Sequence, residues 1–284
     1  MNIHYVTYPT SKPWCSDFTA QNLAKHSKHT VIPTHPHNFT EIKNSIIHYH
    51  NVQILNRYLK PLRLISKLQQ QGNQIIAGLR GEKGKQRYDH ILKAVNGISV
   101  GIDPTLYTHA SQLNQNVYKL PPGENPEHFK PTETPKQYTL CWAGRDHKHF
   151  KHSDLINKLG HTYRKATYNN YIPHDELPAF YNSTQILVGF SDYEGFWRPC
   201  IEAAMCGLPI ISTKVGIVPE IINKKHIIPF PAENNLTQYR ELIQNLLDNP
   251  QQAKKIGLEN RQKALQYSWE KVTPLHEKAW EALF

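Results

Sequence analysis

Two glutamates, Glu194 and Glu202, stand with seven residues between them in the segment Val188–Glu220, VGFSDYEGFWRPCIEAAMCGLPIISTKVGIVPE. Paired carboxylates accept hydrogen bonds two at a time, which suits the vicinal hydroxyls of a ribose or a hexose. An apolar run over Gln185–Phe190 reads as a buried strand that delivers the loop Glu194-Gly195-Phe196. Gly195 permits a tight turn or a close backbone approach to a ligand. A helix is expected from Pro199 to Cys206, with proline in its first turn and Gly207 as its stop. The start of that helix offers unpaired N–H groups and a positive dipole end to an anion, with Glu202 one turn in. A second feature is Gly144-Arg145, with Lys151 six residues on. Two cations beside a strand end can clamp a diphosphate and stabilise the charge on a departing phosphate. Taken singly, each piece has an ordinary explanation: a dipole-complementing glutamate, or solvated Arg and Lys side chains. Their order and spacing favour a shared ligand.

Short apolar runs alternate with polar, helix-like stretches along the chain, which argues for parallel sheets covered on both faces. In the first half, Ile3–Tyr8, Asn73–Ala77 and Gly97–Ile102 read as strands, and Val52–Leu55 as a short apolar run. Asp17–Lys28, Leu59–Gln71 and Tyr88–Val95 read as helices. Leu120–Pro131 holds four prolines and a glycine and reads as a linker. The pattern then restarts. Tyr138–Ala143, Gln185–Phe190 and Pro209–Thr213 read as strands. His152–Leu159, Asp175–Asn182, Leu236–Leu247 and Pro250–Ser268 read as helices. The expected division is an N-terminal Rossmann-like acceptor domain over 1–125, a Rossmann-like donor domain over 126–265, and a C-terminal helix in 266–284 packing back toward the first domain.

With 284 residues, 39% hydrophobic and 20% charged, the composition is that of a globular chain and not of a disordered one. No apolar run nears the roughly 20 residues of a membrane span. Met1–Val6 resembles a first strand and lacks a signal peptide's apolar core, so a cytoplasmic protein is expected. Cys15, Cys141, Cys200 and Cys206 match no zinc pattern or disulfide framework and are expected as reduced thiols. The pairs His35/His37, His48/His50 and His147/His149 have ligand-like spacing. No cysteine or carboxylate completes a set, so core or surface histidines are favoured. The net charge is +10; residues 1–135 hold 15 Lys/Arg against 8 Asp/Glu, and the remainder 18 against 15. Such an excess attracts polyanions or anionic headgroups.

The segment resembles the donor site of glycosyltransferase family 4, a GT-B family of mostly retaining enzymes. The likeness rests on Glu194-Gly195-Phe196, then Glu202-Ala203-Ala204-Met205-Cys206-Gly207-Leu208-Pro209-Ile210-Ile211, then Gly216 and Pro219-Glu220. Leu120–Phe129 is similar to the family's I-P-N-G-V-D linker, and Ser268-Trp269-Glu270 to its C-terminal S-W-E. The resemblance implies an α/β GT-B fold, with two Rossmann-like domains facing across a cleft, and transfer of a sugar from a UDP- or GDP-sugar with retention. By the same resemblance Glu202 would hold the donor ribose. Glu194, with the N–H groups of Phe196 and Trp197, would hold the transferred sugar. Arg145 and Lys151 would hold the diphosphate, and the region of Tyr171 and Ile172 would meet the base. No metal is implied.

The sequence departs from the family at three places. Thr10–Ser16 holds no glycine. Gly78-Leu79-Arg80-Gly81 stands where a histidine is usual. Trp197-Arg198 follows Glu194-Gly195-Phe196 where a small residue is usual. The first domain is short for the family, which suggests a trimmed acceptor site. Duplex DNA bearing a hydroxymethylated base is the expected acceptor, with Trp14, Arg80, Lys83, Lys85 and Arg87 as its contacts. Arg57, Lys60 and Arg63 would add phosphate contacts, and Trp14 or Tyr58 would stack on the extruded base or fill the gap it leaves. The alternatives are a lipid-linked or envelope glycan at an anionic membrane surface, and a catalytically silent nucleotide-sugar-binding fold. Tyr58–Gln71 comes nearest to a membrane-facing helix, but a core helix accounts for its leucines equally well.

Overall fold

The computed structural model describes residues 1–8, 15–35, 41–81 and 85–284, with the backbone alone for Cys15. The chain divides into two compact units, Met1–Gly123 with Trp269–Phe284, and Glu124–Ser268. It crosses between them at 123/124 and 268/269, where the sequence reading places the boundaries at 125/126 and 265/266.

The first unit runs β1 (Asn2–Val6), α1 (Cys15–His26), β2 (Thr30–Thr34), β3 (Ile46–Tyr49), α2 (Val52–Asn56) and α3 (Pro61–Gln70). It continues through β4 (Gln74–Leu79), α4 (Asp89–Leu92), β5 (Gly97–Val100), α5 (Pro104–Ser111) and β6 (Val117–Lys119). Its sheet has the order β2-β1-β3-β4-β5-β6, and every pairing is parallel. Pro33 sits in β2 at the sheet edge, where a missing N–H costs least. Ile47, Tyr49, Ile75, Ala77, Ile98 and Val100 bury against α2, α3 and α4 in one core.

The second unit runs β7 (Tyr138–Ala143), β8 (Tyr163–Ala166), α6 (Leu177–Asn182), β9 (Thr184–Gly189), α7 (Arg198–Met205) and β10 (Ile210–Thr213). It ends with α8 (Val218–Ile221), β11 (Ile227–Ile228), α9 (Leu236–Asp248) and α10 (Pro250–Ala264). This sheet has the order β11-β10-β9-β7-β8, again all parallel. The chain returns to the first unit as α11 (Trp269–Glu281). Glu277 on that helix accepts from Ser27 Oγ (2.9 Å) and Lys28 N (2.7 Å).

Several elements differ from the sequence reading. Val52–Leu55 is helical because Asn51 caps it, accepting from Gln53 N, and a cap can decide so short a segment. His152–Leu159 is not an α-helix. It forms 3-10 turns over His149–Lys151 and Ser153–Leu159, interrupted by His152 at φ 45°. Leu120–Pro131 is not a free linker: Glu124 is 1% exposed and Phe129 fully buried. Glu124 N donates to the Tyr267 carbonyl (2.9 Å), and Arg261 donates to the Phe129 carbonyl (3.0 Å). Its second half is therefore packed structure of the second unit.

Candidate functional site

In an open parallel sheet, ligands bind beyond the carboxyl ends of the strands where strand order reverses. In the second unit that point lies between β7 and β9, since β8 follows on one side and β10 and β11 on the other. The two adjacent strands release Gly144-Arg145 and the loop Ser191–Trp197. The sequence's two cationic and acidic motifs thus leave neighbouring strands at one sheet end.

Glu194 and Lys151 form an ion pair, with side chains 11% and 13% exposed, and Ser191 Oγ donates to the same Glu194 oxygen (2.9 Å). Beside them Phe150 and Tyr193 stack at 4.2 Å, and His152 Nε2 lies 2.5 Å from Asp192 Oδ1. Asp192 N donates to the Phe150 carbonyl (2.9 Å). The loops after β7 and β9 are therefore stitched together by four contacts: an ion pair, a ring stack, a histidine–carboxylate contact and a backbone hydrogen bond. Arg145 is exposed, just beyond β7. Tyr171 and Ile172 are half-buried after the turn closed by Asn170 on Thr167 and Lys165.

The loop Glu194–Trp197 is held from below. Trp197 adopts a left-handed backbone, φ 64°, a conformation that costs a bulky residue about 1–3 kcal/mol. Its buried ring occupies the space over Gly189: a Cβ there would lie 2.4 Å from the ring. Gly216 likewise leaves room for the Phe196 carbonyl, which would stand 2.4 Å from a Cβ and accepts from Ile217 N (2.9 Å). Packing the indole into the core offsets the backbone strain and sets where α7 begins.

Glu202 belongs to a second cluster. It is 5% exposed, accepts a 2.6 Å hydrogen bond from Tyr181 Oη and lies 3.6 Å from Arg198 Nε. Arg198 also grips Glu124, through Nε (2.9 Å) and Nη2 (2.8 Å). Burial opposes the charge on Glu124, but Arg198, then His174 and the Asn125 N–H, bring its pKa down to about 2. Burial, then the charge on Glu124, pushes the Glu202 pKa up, against the pull of Arg198 and Tyr181. Glu124, Tyr181 and His174 were not singled out from the sequence, and Arg198 only as a departure from the family's pattern. The one signal was an acidic residue inside a proline-rich stretch.

Among the expected acceptor contacts, Trp14 and Lys83 lie outside the described residues. Arg80 is committed to the first unit's own structure. Its Nε donates to the His50 carbonyl (3.1 Å), Nη1 to the Leu120 carbonyl (3.2 Å) and Nη2 to Ser99 Oγ (3.2 Å). Two carbonyls and a hydroxyl of the first unit thus take three of its donors. Lys85 and Arg87 lie in a 3-10 turn, Lys85–Tyr88. Among the described residues no group of three or more His, Cys, Asp or Glu is arranged to hold a metal. Both ring nitrogens of His48 are engaged, one with Ser99 Oγ (2.9 Å), the other by Trp280 Nε1 (3.2 Å). Cys141, Cys200 and Cys206 are free and buried.

Residues 127–263 match the family model described as Glycosyl transferases group 1. The chain is 28% identical over 157 residues to the O-antigen chain mannosyltransferase B of Escherichia coli, covering 54% of this chain and 40% of that protein. It is 28% identical over 111 residues to the MMP alpha-(1->4)-mannosyltransferase of Mycolicibacterium hassiacum, covering 37% and 27%. The chain thus spans well under half the length of these relatives. In structure it is similar to HepE of Anabaena, solved with UDP and glucose, at a TM-score of 0.75 and 11% identity, over 99% of this chain and all of that one. It is also similar to the sucrose-phosphate synthase of Thermosynechococcus elongatus, with a TM-score of 0.66 and 18% identity, over 94% and 77%. Nearly the whole of the second unit thus matches the group 1 glycosyltransferase model, and the two parallel sheets are those of the GT-B fold.

Proposed function

We propose that the protein is a retaining glycosyltransferase that takes its sugar from a nucleoside-diphosphate sugar bound to the second unit. The observation that carries this reading is the convergence of Arg145, Lys151 and Glu194 at the carboxyl ends of β7 and β9. In this reading Arg145 and Lys151 hold the diphosphate. The Lys151–Glu194 ion pair opens as the donor enters: the ammonium moves to phosphate and the carboxylate to sugar hydroxyls. Glu202 takes the ribose hydroxyls, and Tyr171 and Ile172 meet the base. The leaving phosphate accepts the acceptor's proton, and the cations stabilise the charge it gains. UDP is the favoured nucleotide, since HepE was solved with UDP and glucose.

For the acceptor, the first unit supports a glycan on an anionic lipid surface over a hydroxymethylated base in DNA. Leu59 is wholly exposed and Leu62 47% exposed, while only Ile65 and Leu68 of α3 are buried. A core helix therefore accounts for Ile65, Leu68 and the partly buried Leu64, and leaves Leu59 and Leu62 outside. Exposed Arg57, Lys60 and Arg63 flank the two leucines, and apolar side chains ringed by cations suit a headgroup interface. Duplex phosphates have no use for the leucines. The test offers a panel of labelled UDP- and GDP-sugars with three acceptors: lipid-linked glycan in anionic vesicles, free glycan, and hydroxymethylated duplex DNA. Transfer to the vesicle-borne glycan is expected. Transfer to DNA alone would replace the acceptor reading, and neither transfer nor hydrolysis of any donor would remove the enzymatic one.

A further inference from the structure

Arg198 stands between two buried carboxylates and faces both. One Glu124 oxygen receives two of its N–H groups, at 2.8 and 2.9 Å, and Glu202 Oε1 lies 3.6 Å from its Nε. Glu124 is 1% and Glu202 5% exposed. Two carboxylates that close together, and that far from water, do not both ionise without a cation between them. Here one guanidinium serves two acids, and the geometry gives Glu124 the larger share.

The other groups around the pair are accounted for. The short turn before α6 brings His174, whose Nε2 is 3.7 Å from Glu124 Oε1, and His128 stacks on His174 at 4.9 Å. Helix α6 brings Tyr181, bonded to the other Glu202 oxygen. Helix α10 brings Arg261, whose guanidinium is turned to the Met205 and Phe129 carbonyls. Cys206, one residue beyond α7, and Cys141 in β7 are thiols that burial keeps neutral. Arg198 is the cation that makes direct contact with both acids.

We propose that Arg198 positions Glu202 and keeps it charged for the ribose hydroxyls of a nucleoside diphosphate, and that Glu124 limits this by holding the same guanidinium. Arg198 is thus a positioning residue, and Glu124 sets the acidity at which the donor site fails. The inference rests on the assignment of Glu202 to the ribose. A charged carboxylate accepts both hydroxyls, while the protonated acid loses one acceptor and the charge. Burial and Glu124 already push Glu202 up, so ribose recognition weakens as pH falls through a raised carboxylate range.

The test measures equilibrium binding of UDP and of 2′,3′-dideoxy-UDP to the full chain across the acid-to-neutral range. The ratio of the two affinities cancels the titration of the phosphates and isolates the hydroxyl contribution. In the wild type the ratio should fall as pH falls. Arg198→Gln should move that fall up by about one pH unit or more, since the nearest cation is gone. Arg198→Lys should restore most of it. Glu124→Gln should move it down, because the guanidinium then serves Glu202 alone. A purely structural role would change both nucleotides' affinities together and leave the pH of the fall in place. Folding of each variant is checked by circular dichroism. If Arg198→Gln does not fold, Glu124→Gln decides alone: an unmoved fall overturns the inference. A wild type that never prefers UDP over the dideoxy nucleotide removes the ribose assignment, and this inference with it.

Discussion

The two units each bury a polar network behind a parallel sheet, and the networks differ in charge. In the first unit His48 links Ser99 to Trp280, Arg80 ties Ser99 to the His50 and Leu120 carbonyls, and His276 meets the Pro121 carbonyl at 3.3 Å. Its histidines are neutral: burial brings the His276 pKa down to about 3 and pushes His48 well below the usual range. This network joins sheet ends to α11, and most of its donors end on the protein's own carbonyls and hydroxyls. In the second unit the networks are ionic, Lys151–Glu194 and Glu124–Arg198–Glu202. Charges held by other charges can be handed to a charged ligand, whereas hydrogen bonds to backbone carbonyls cannot be released without loosening the fold. The same buried polarity thus holds structure in one unit and, in the proposed function, would serve a ligand in the other.

The largest effect should come from removing His48. His48→Ala leaves Trp280 Nε1 without its acceptor, leaves Ser99 with Arg80 alone and opens a cavity, at about 3–5 kcal/mol, so thermal melting should fall sharply. Any folded fraction should keep its UDP affinity; weakened UDP binding by that fraction would break the comparison. Glu202→Ala should do the reverse. Each ribose hydroxyl that loses a charged acceptor costs about 1.5–3 kcal/mol of binding, roughly tenfold or more in the UDP dissociation constant by calorimetry. Unchanged affinity would remove Glu202 from the donor site.

Acid should separate the units next. A histidine whose folded pKa is depressed contributes stability above its unfolded pKa and loses it as pH falls toward the folded value. For His276 that window runs from 6.5 down to about 3, and His48 moves the same way. For His276 the loss between pH 6.5 and 5 is about 2 kcal/mol. Glu124, lowered from 4.5 to about 2, contributes above 4.5 and loses its contribution only below that. Between pH 7 and 5, hydrogen exchange should therefore accelerate in β3, β5 and α11 more than in β7 and β9. Equal acceleration in both units would contradict the assignment of neutral histidines. A smaller effect is expected from Gly189→Ala, which drives a methyl into the Trp197 ring at about 1–3 kcal/mol. Its loss of stability and of donor affinity should both be reduced when combined with Trp197→Phe. The smallest effect should come from a chelator. If Arg145 and Lys151 hold the diphosphate, as proposed, and with no Asp-x-Asp in the chain, turnover should be unchanged; loss restored by a divalent ion would overturn this.

Much of the second unit was legible because its signals are local. Tyr138–Ala143 is a strand over the span its apolar run marks, and Pro199 and Gly207 bracket α7 within one residue. Glu194 and Glu202 stand out by spacing and context, and that context led to the GT-B fold that the comparisons bear out. In the first unit β2 and β3 were missed. One carries a proline and the other a buried histidine, both of which make sense only beside an edge and opposite Trp280. Helix α5 did carry a readable start, Asp103-Pro104, with Asp103 capping Thr105 and Leu106.

The sequence by itself determined the periodicities, the caps and the glutamate spacing, because each depends on residues within one or two turns of each other. Tertiary structure alone decided which charges meet. Glu124 and Arg198 are 74 residues apart, and Lys151 and Glu194 43 apart. No local pattern links members of such pairs. They meet because β7 and β9 are neighbours in the sheet while β8 lies outside them, and because the segment after Gly123 packs beside α7. Burial then did what composition cannot express: it shields both sites from water, so that each acid's charge depends on the groups packed against it.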